Sequence, residues 1–199
     1  MPDPDLELVK TCQVAEGQDF ERAFAQIFAL YQDRVYTVCF RVCGNQEDAL
    51  DAAQETLVTL AKRVRDFQYR SRFSSWVYRI AVNAAIDVRR RRMDSPRGGI
   101  QTRVGHDAEI FAESQADDGM SDPSAQAVRG EAREQVRKAL ANINPRFSSL
   151  LTLRYIEGLS YEEISETLEC SLGTVKSRLN RAHSALRDYL ERREDLGRP

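Results

Sequence analysis

The sequence predicts an all-α protein made of two small helical domains joined by a flexible acidic linker. Three observations carry this. Apolar residues recur at three- and four-residue steps through most of 20–93 and again from about 131 onward, the period of a helix with one buried face. Glycine and proline number only 10 and 6 in 199 residues, too few for a turn-rich sandwich. Between the two periodic blocks, 94–127 hold Pro96, Gly98, Gly99, Pro123 and many acids with no sustained period. The expected units are a leader at 1–19, a helical domain at 20–93, a linker at 94–129 and a second helical domain at 130–199.

The first domain reads as three helices. Residues 1–18 read as a loose leader. Asp19 can cap a helix from near Phe20, whose apolar face is Phe20, Phe24, Ile27, Tyr31, Val35, Val38 and Val42. Gly44 suits its stop, and Asn45 with Asp48 suits the next start. Leu50, Ala53, Leu57, Leu60 and Val64 mark the apolar face of the second helix. The third starts near Ser74 or Ser75 and runs through Trp76, Ile80, Ala84 and Val88 into Arg89–Arg92.

In the second domain Ala132, Val136, Leu140 and Ile143 give one helix. Asn144-Pro145 supplies a cap and first helical position for the next, which carries Leu150, Leu151 and Leu153 and ends at Gly158. Ser160-Tyr161-Glu162-Glu163 is a capping box ahead of Ile164 and Leu168. A last helix starts near Leu172 and carries Val175, Leu179 and Leu186.

The net charge of −2 hides a segregation. Lys62–Arg92 holds ten bases against Asp66 and Asp87, a balance of +8; Ser171–Arg187 is +4; Asp94–Ala127 is −5. Two basic blocks around an acidic one are two anion-binding surfaces on a tether. The four cysteines, Cys12, Cys39, Cys43 and Cys170, form no CxxC pair. Cys39 and Cys43, one turn apart on an apolar helix, read as small buried hydrophobes rather than ligands. The acidic start resembles no secretion signal, and no apolar run approaches ~18 residues, so no membrane insertion is expected. A reducing cytoplasm fits. No nucleophile–base pair, phosphate loop or metal motif appears, so neither an enzyme nor a metal or other cofactor is expected.

Three segments carry chemistry. Two short helices, a turn of about three residues and a basic second helix outline a helix-turn-helix with Ile164, Leu168, Cys170, Val175 and Leu179 as its core. Thr174, Lys176, Ser177, Arg178, Asn180 and Arg181 would then present guanine, adenine and phosphate partners to duplex. A helical hairpin with a solvated basic face is the plainer reading of the same spacing. In 65–92, Phe67, Tyr69, Phe73, Trp76 and Tyr78 interleave with Arg65, Arg70, Arg72 and Arg79. Aromatic faces stack on unpaired bases, worth ~1–3 kcal/mol each, while arginines hold the backbone; the alternative for Trp76 is core packing. Finally, Glu47, Asp51 and Glu55 line one face of the second helix, a charge row that a basic partner would relieve and that solvent can equally cover.

Together these pieces resemble a bacterial RNA polymerase sigma factor. Asp48-Ala49-Leu50-Asp51-Ala52-Ala53-Gln54-Glu55-Thr56 is similar to the family's "DAEDLVQE"-like motif of region 2. Phe73-Ser74-Ser75-Trp76-Val77-Tyr78-Arg79-Ile80-Ala81-Val82-Asn83 resembles its "F-x-x-W-L-Y-R-I-A-x-N" signature. Gly158–Ile164 and Gly173–Leu179 resemble region 4. No block of region-3 size fits between, which implies the extracytoplasmic-function class. The resemblance implies docking on core RNA polymerase, its largest-subunit clamp helices and flap region, with Asp48, Asp51, Gln54 and Glu55 on the polymerase. It implies that Arg72, Phe73, Trp76, Tyr78, Arg79, Asn83, Arg89 and Arg90 bind and open the −10 element of promoter DNA, and that the recognition-helix residues named above read the −35 duplex. It also implies an anti-sigma factor partner and a linker threaded through polymerase. The sequence departs from the common pattern at Ser165, at Glu169 where glycine is frequent, and at Tyr69-Arg70-Ser71-Arg72, which replaces a frequent "F-R-G" in the loop implied to select the −10 base. A left-handed backbone at Glu169 would carry a modest cost. The competing reading is a stand-alone helix-turn-helix regulator that binds duplex without polymerase.

Overall fold

A computed structural model describes residues 5–94 and 123–196. The expected linker lies for the most part outside the described residues. The elements are α1 (Leu6–Val14), α2 (Gly17–Cys43), α3 (Gln46–Arg63), a 3-10 turn (Val64–Asp66), α4 (Phe73–Asp94), α5 (Pro123–Asn142), α6 (Pro145–Tyr155), α7 (Tyr161–Thr167) and α8 (Leu172–Leu196). The described residues contain no strand.

The ends obey the local chemistry read above. Gly44 stops α2 at φ 80°, and Asn45 caps α3 by accepting from the Asp48 amide at 2.9 Å. Asn144 accepts from the Arg146 amide at 2.9 Å, with Pro145 in the first helical position. Ser160 and Glu163 form the reciprocal box, at 3.1 Å and 2.8 Å.

Four boundaries differ from the expectation. Residues 6–14 are helical rather than loose: Val9 and Cys12, three apart, are fully buried against the bundle and anchor this short helix. α2 starts at Gly17, ahead of Phe20, and Glu16 rather than Asp19 is its cap residue. α4 starts at Phe73. α5 starts at Pro123, within the span read as linker, because proline is preorganised for the first position of a helix.

α2, α3 and α4 form a three-helix bundle with α1 laid across α2 and the 3-10 turn. Ile27, Tyr31, Val35, Val38 and Val42 of α2 meet Ala49, Ala52, Ala53 and Leu60 of α3 and Phe73, Val77, Ala81 and Ala85 of α4. The small residues let the helices approach closely, and each large apolar side chain contributes about 1.5–3 kcal/mol. Leu50, expected on this core face, points outward at 51% exposure; Thr56 takes a core place by returning its hydroxyl to the Ala52 carbonyl at 2.7 Å.

α6, α7 and α8 pack around Leu150, Leu153, Ile164, Val175 and Leu179. This second unit lies against the first: α5 and α6 pack on α2, and α7 packs on α4. The approach is tight at Gly44, where an added Cβ would fall 2.3 Å from that of Ala141, so only glycine fits both the contact and the left-handed turn.

Candidate nucleic-acid and polymerase surfaces

The helix-turn-helix is α7 and α8. Ile164, Val175 and Leu179 are buried, with Leu168 and Cys170 partly so, as the spacing required. The turn closes with Glu169 at φ 48°, in the left-handed region expected of it. Ser171 then holds the first turn of α8 by accepting from the Thr174 amide at 3.2 Å. Lys176, Ser177, Arg178, Asn180 and Arg181 face solvent together, with Thr174 half-buried beside them. No acid stands between Ser171 and Arg187. This row can enter a groove as it stands.

The basic-aromatic segment is arranged differently. Phe73 is fully buried, Trp76 and Tyr78 are 8% and 4% exposed, and Phe67 is buried with them. The rings of Phe67, Phe73 and Trp76 form one cluster: Phe67 meets Phe73 and Trp76 with centroids 5.3 Å apart. In this arrangement Phe73, Trp76 and Tyr78 are core residues, and Phe73 also meets the Tyr31 ring edge-on with centroids 5.6 Å apart. The aromatic left outside is Tyr69, 41% exposed and at φ 57°. A tyrosine there costs about 1–2 kcal/mol. The departure from the family pattern at that very residue was the available signal.

Arg89 is engaged within the protein. It is 7% exposed and spends its guanidinium on three carbonyls: Val42 at 2.8 Å, Ala141 at 2.6 Å and Ile143 at 2.7 Å. In this arrangement it clamps α2 to the end of α5 and has no face for a phosphate. Burial pulls its pKa below the usual arginine value, and the arginine stays charged.

Arg72, Asn83 and Arg90 are exposed and Arg79 is half-buried. Acids of the second unit cover two of these bases: Arg72 pairs with Glu163, and Arg79 with Glu169. Beside them the Tyr78 hydroxyl donates to Glu157 at 2.6 Å. A cleft between the 69–72 loop and α7 is lined by Tyr69, Arg70, Arg72, Glu162, Glu163 and Glu166. Glu157 is pushed above its usual 4.5, first by burial, with the Tyr78 hydrogen bond and Arg34 opposing. Glu163 is held low, first by the Ser160 amide of its own capping box and also by Arg72.

On α3, Asp51, Gln54 and Glu55 are exposed, and Asp48 is half-buried. Arg92 pairs with Asp48 and Arg91 with Glu55, each at 2.7 Å. Leu50 and Val58, at 51% and 45% exposure, flank Gln54 one turn to either side. Two exposed apolar side chains thus stand beside the acidic row. The sequence pattern missed this by placing Leu50 in the core.

Cys39 and Cys43 are buried thiols near the Ala81 and Ala85 carbonyls, at 3.9 Å and 3.7 Å. Burial pushes Cys43 up to about 12 and Cys39 upward too, so both are inert thiols. Among the described residues no helix is long and apolar enough to cross a membrane.

Residues 27–94 match the model of sigma-70 region 2, and 133–186 that of sigma-70 region 4. The chain is 34% identical over 179 residues to the ECF RNA polymerase sigma factor SigW of Bacillus subtilis, covering 89% of this chain and 93% of SigW. The chain is an ECF sigma factor. RNA polymerase sigma-H factor of Pseudomonas aeruginosa is a further relative of this sigma factor, 31% identical and covered over 94% of both chains. Its fold is shared with CnrH in the complex with the cytosolic domain of CnrY, at TM-score 0.61 and 19% identity over 94% of this chain and 97% of that one. RpoE of Bartonella quintana, solved with the anti-sigma factor NepR, gives the same TM-score at 23% identity over 84% and 96%. As a sigma factor the protein directs transcription initiation by RNA polymerase.

Proposed function

We propose that the ECF sigma factor divides its work among three surfaces. Asp48, Asp51, Gln54 and Glu55 of α3, with Leu50 and Val58, dock on the clamp helices of core polymerase. Thr174, Lys176, Ser177, Arg178, Asn180 and Arg181 read the −35 duplex from the major groove. Arg72, Arg79, Asn83 and Arg90 hold the separated strand of the −10 element, and the 69–72 loop takes an unstacked base. Surfaces that bind only opened DNA favour opening by their differential affinity. The second unit also supplies a flap contact, and an anti-sigma factor is a partner of the kind with which the similar folds were solved.

The observation that carries this reading is the outward Leu50–Gln54–Val58 stripe beside Asp51 and Glu55. A regulator acting on duplex alone has no use for it. Because Glu163 and Glu169 occupy Arg72 and Arg79, the strand-holding surface works only after the second unit swings away. The test is transcription in vitro with core polymerase and a promoter library. Leu50→Arg/Asp51→Arg should abolish the specific starts while leaving −35 duplex binding intact. Specific starts that survive the double change would overturn the docking assignment.

A further inference from the structure

α1 lies beside the loop assigned above to the −10 base, and its last turn reaches into it. The Gln13 amide nitrogen donates to the Phe67 carbonyl at 2.8 Å, and the Gln13 amide oxygen accepts from the Tyr69 hydroxyl at 2.5 Å. Arg65 donates to the Ala15 carbonyl at 2.6 Å, while its guanidinium lies 4.8 Å from the centre of the Phe20 ring. One side chain of α1 therefore fixes both the backbone entering the loop and the side chain at its apex.

That apex needs fixing. Tyr69 has a left-handed backbone that a tyrosine leaves readily unless its surroundings hold it. The Phe67 ring edge, with centroids 5.0 Å apart, holds it on one side. Gln13 holds it on the other. With Tyr69 pinned, Arg70 and Arg72 leave the loop in fixed directions, whereas a released Tyr69 would let the chain between Phe67 and Phe73 sample other turns. Preorganisation of this kind sharpens discrimination, because a loop that can re-form around the wrong base loses little by doing so.

We infer that Gln13 is a positioning residue for −10 selection, and that α1 is a specificity element of this sigma factor. The inference rests on the reading that the 69–72 loop takes the −10 base. Gln13 touches no DNA; it acts through Tyr69 and Phe67.

The experiment is in-vitro transcription by the full chain with core polymerase, on a library randomised separately in the −10 and −35 elements. Gln13→Ala should relax the base preference at one −10 position by about tenfold, with −35 preference and polymerase affinity unchanged. Tyr69→Phe should do the same, and the double variant should be no worse than either alone. Gln13→Glu keeps the acceptor for Tyr69 but sets a carboxylate against the Phe67 carbonyl, so it should relax selection too. A Gln13→Ala protein that uses every promoter less, with preferences intact, would make α1 only a structural brace and overturn the inference. So would unchanged selection in Gln13→Ala when Tyr69→Ala alters it. If Tyr69→Ala and Arg70→Ala both leave −10 preference untouched, the loop assignment itself is wrong and the inference falls with it.

Discussion

The two basic surfaces of this molecule stand in opposite states. On α8 the row from Lys176 to Arg181 faces solvent, and its segment contains no acid from Ser171 to Arg187. On α4 the bases Arg72 and Arg79 are already paired, by Glu163 of α7 and Glu169 of the turn. On the proposed assignment, these carboxylates stand where phosphates of a single strand would. If the proposed assignment holds, the packed arrangement is ready for duplex and closed to an opened strand, reading of the −35 element can precede release of the −10 surface, and the acids of the second unit compete with DNA for the same guanidinium groups.

The sharpest way to break this contrast is at Arg89. Its three carbonyl partners come from α2 and from the chain ending α5, so its removal leaves buried acceptors on both sides of the junction. Arg89→Ala should lower stability by about 3 kcal/mol, because buried groups deprived of a charged partner are costly. Denaturant unfolding measures the loss, and small-angle scattering should show an expanded particle. An unchanged radius would place the closing force elsewhere, at Gly44 or in the apolar contacts. Arg89→Lys, with one ammonium in place of a fork, should fall between.

The open surface is tested at Arg178. Arg178→Ala should weaken −35 duplex binding by about 1–3 kcal/mol. The loss should be equal in the Arg89→Ala background, since α8 is exposed whether or not the units are packed. A loss that depends on the state of Arg89 would mean that packing shapes the recognition helix as well.

The contrast between the surfaces also explains what could be read in advance. The helix-turn-helix was legible because its determinants are local: a capping box, a turn, and apolar residues three or four apart. Asn45, Asn144 and Gly44 were legible for the same reason. Arg89 was not, because its partners Val42, Ala141 and Ile143 lie 47 to 54 residues away and are carbonyls, which every residue has. The burial of Phe73, Trp76 and Tyr78 was not legible, because an aromatic beside arginines has the same composition whether it stacks on a base or fills a core. Leu50 misled because its neighbours Ala49, Ala52 and Ala53 are small; burying three alanines turns the helix so that the leucine faces out. α1 escaped because nine residues give too little periodicity to stand out.

A smaller effect is expected from the acids that cover α4. The Arg72–Glu163 and Arg79–Glu169 pairs are partly solvated, and such pairs are worth about 0.2–1 kcal/mol each. Glu163→Gln/Glu169→Gln should therefore raise affinity for a −10 single strand by roughly fivefold at low salt, with the gain shrinking as salt screens both competitors. Fluorescence anisotropy with a labelled oligonucleotide reads this directly. No gain would mean that opening, and not charge competition, limits access.

The finest distinction lies in pH. Glu157 sits buried against Tyr78 in the packed form, above its usual 4.5, with Arg34 the nearby cation that opposes the shift. Released from α4 it would return to the usual value. The packed form therefore binds the proton more tightly, so Glu157's contribution to packing is complete below the usual carboxylate range and is lost as pH rises through the raised value. Glu163 works the other way. Its depressed pKa comes first from its own capping box, which survives opening, so only the smaller Arg72 share is linked to packing, and that share is lost as pH falls through the depressed value. The two windows do not overlap, and the upper one belongs to Glu157. Glu157→Gln keeps an oxygen for the Tyr78 hydroxyl and removes the buried charge. Its scattering radius should stay compact and flat across the upper window, where the unaltered protein loosens as pH rises. A variant that loosens over the same range would show that some other group titrates at the junction.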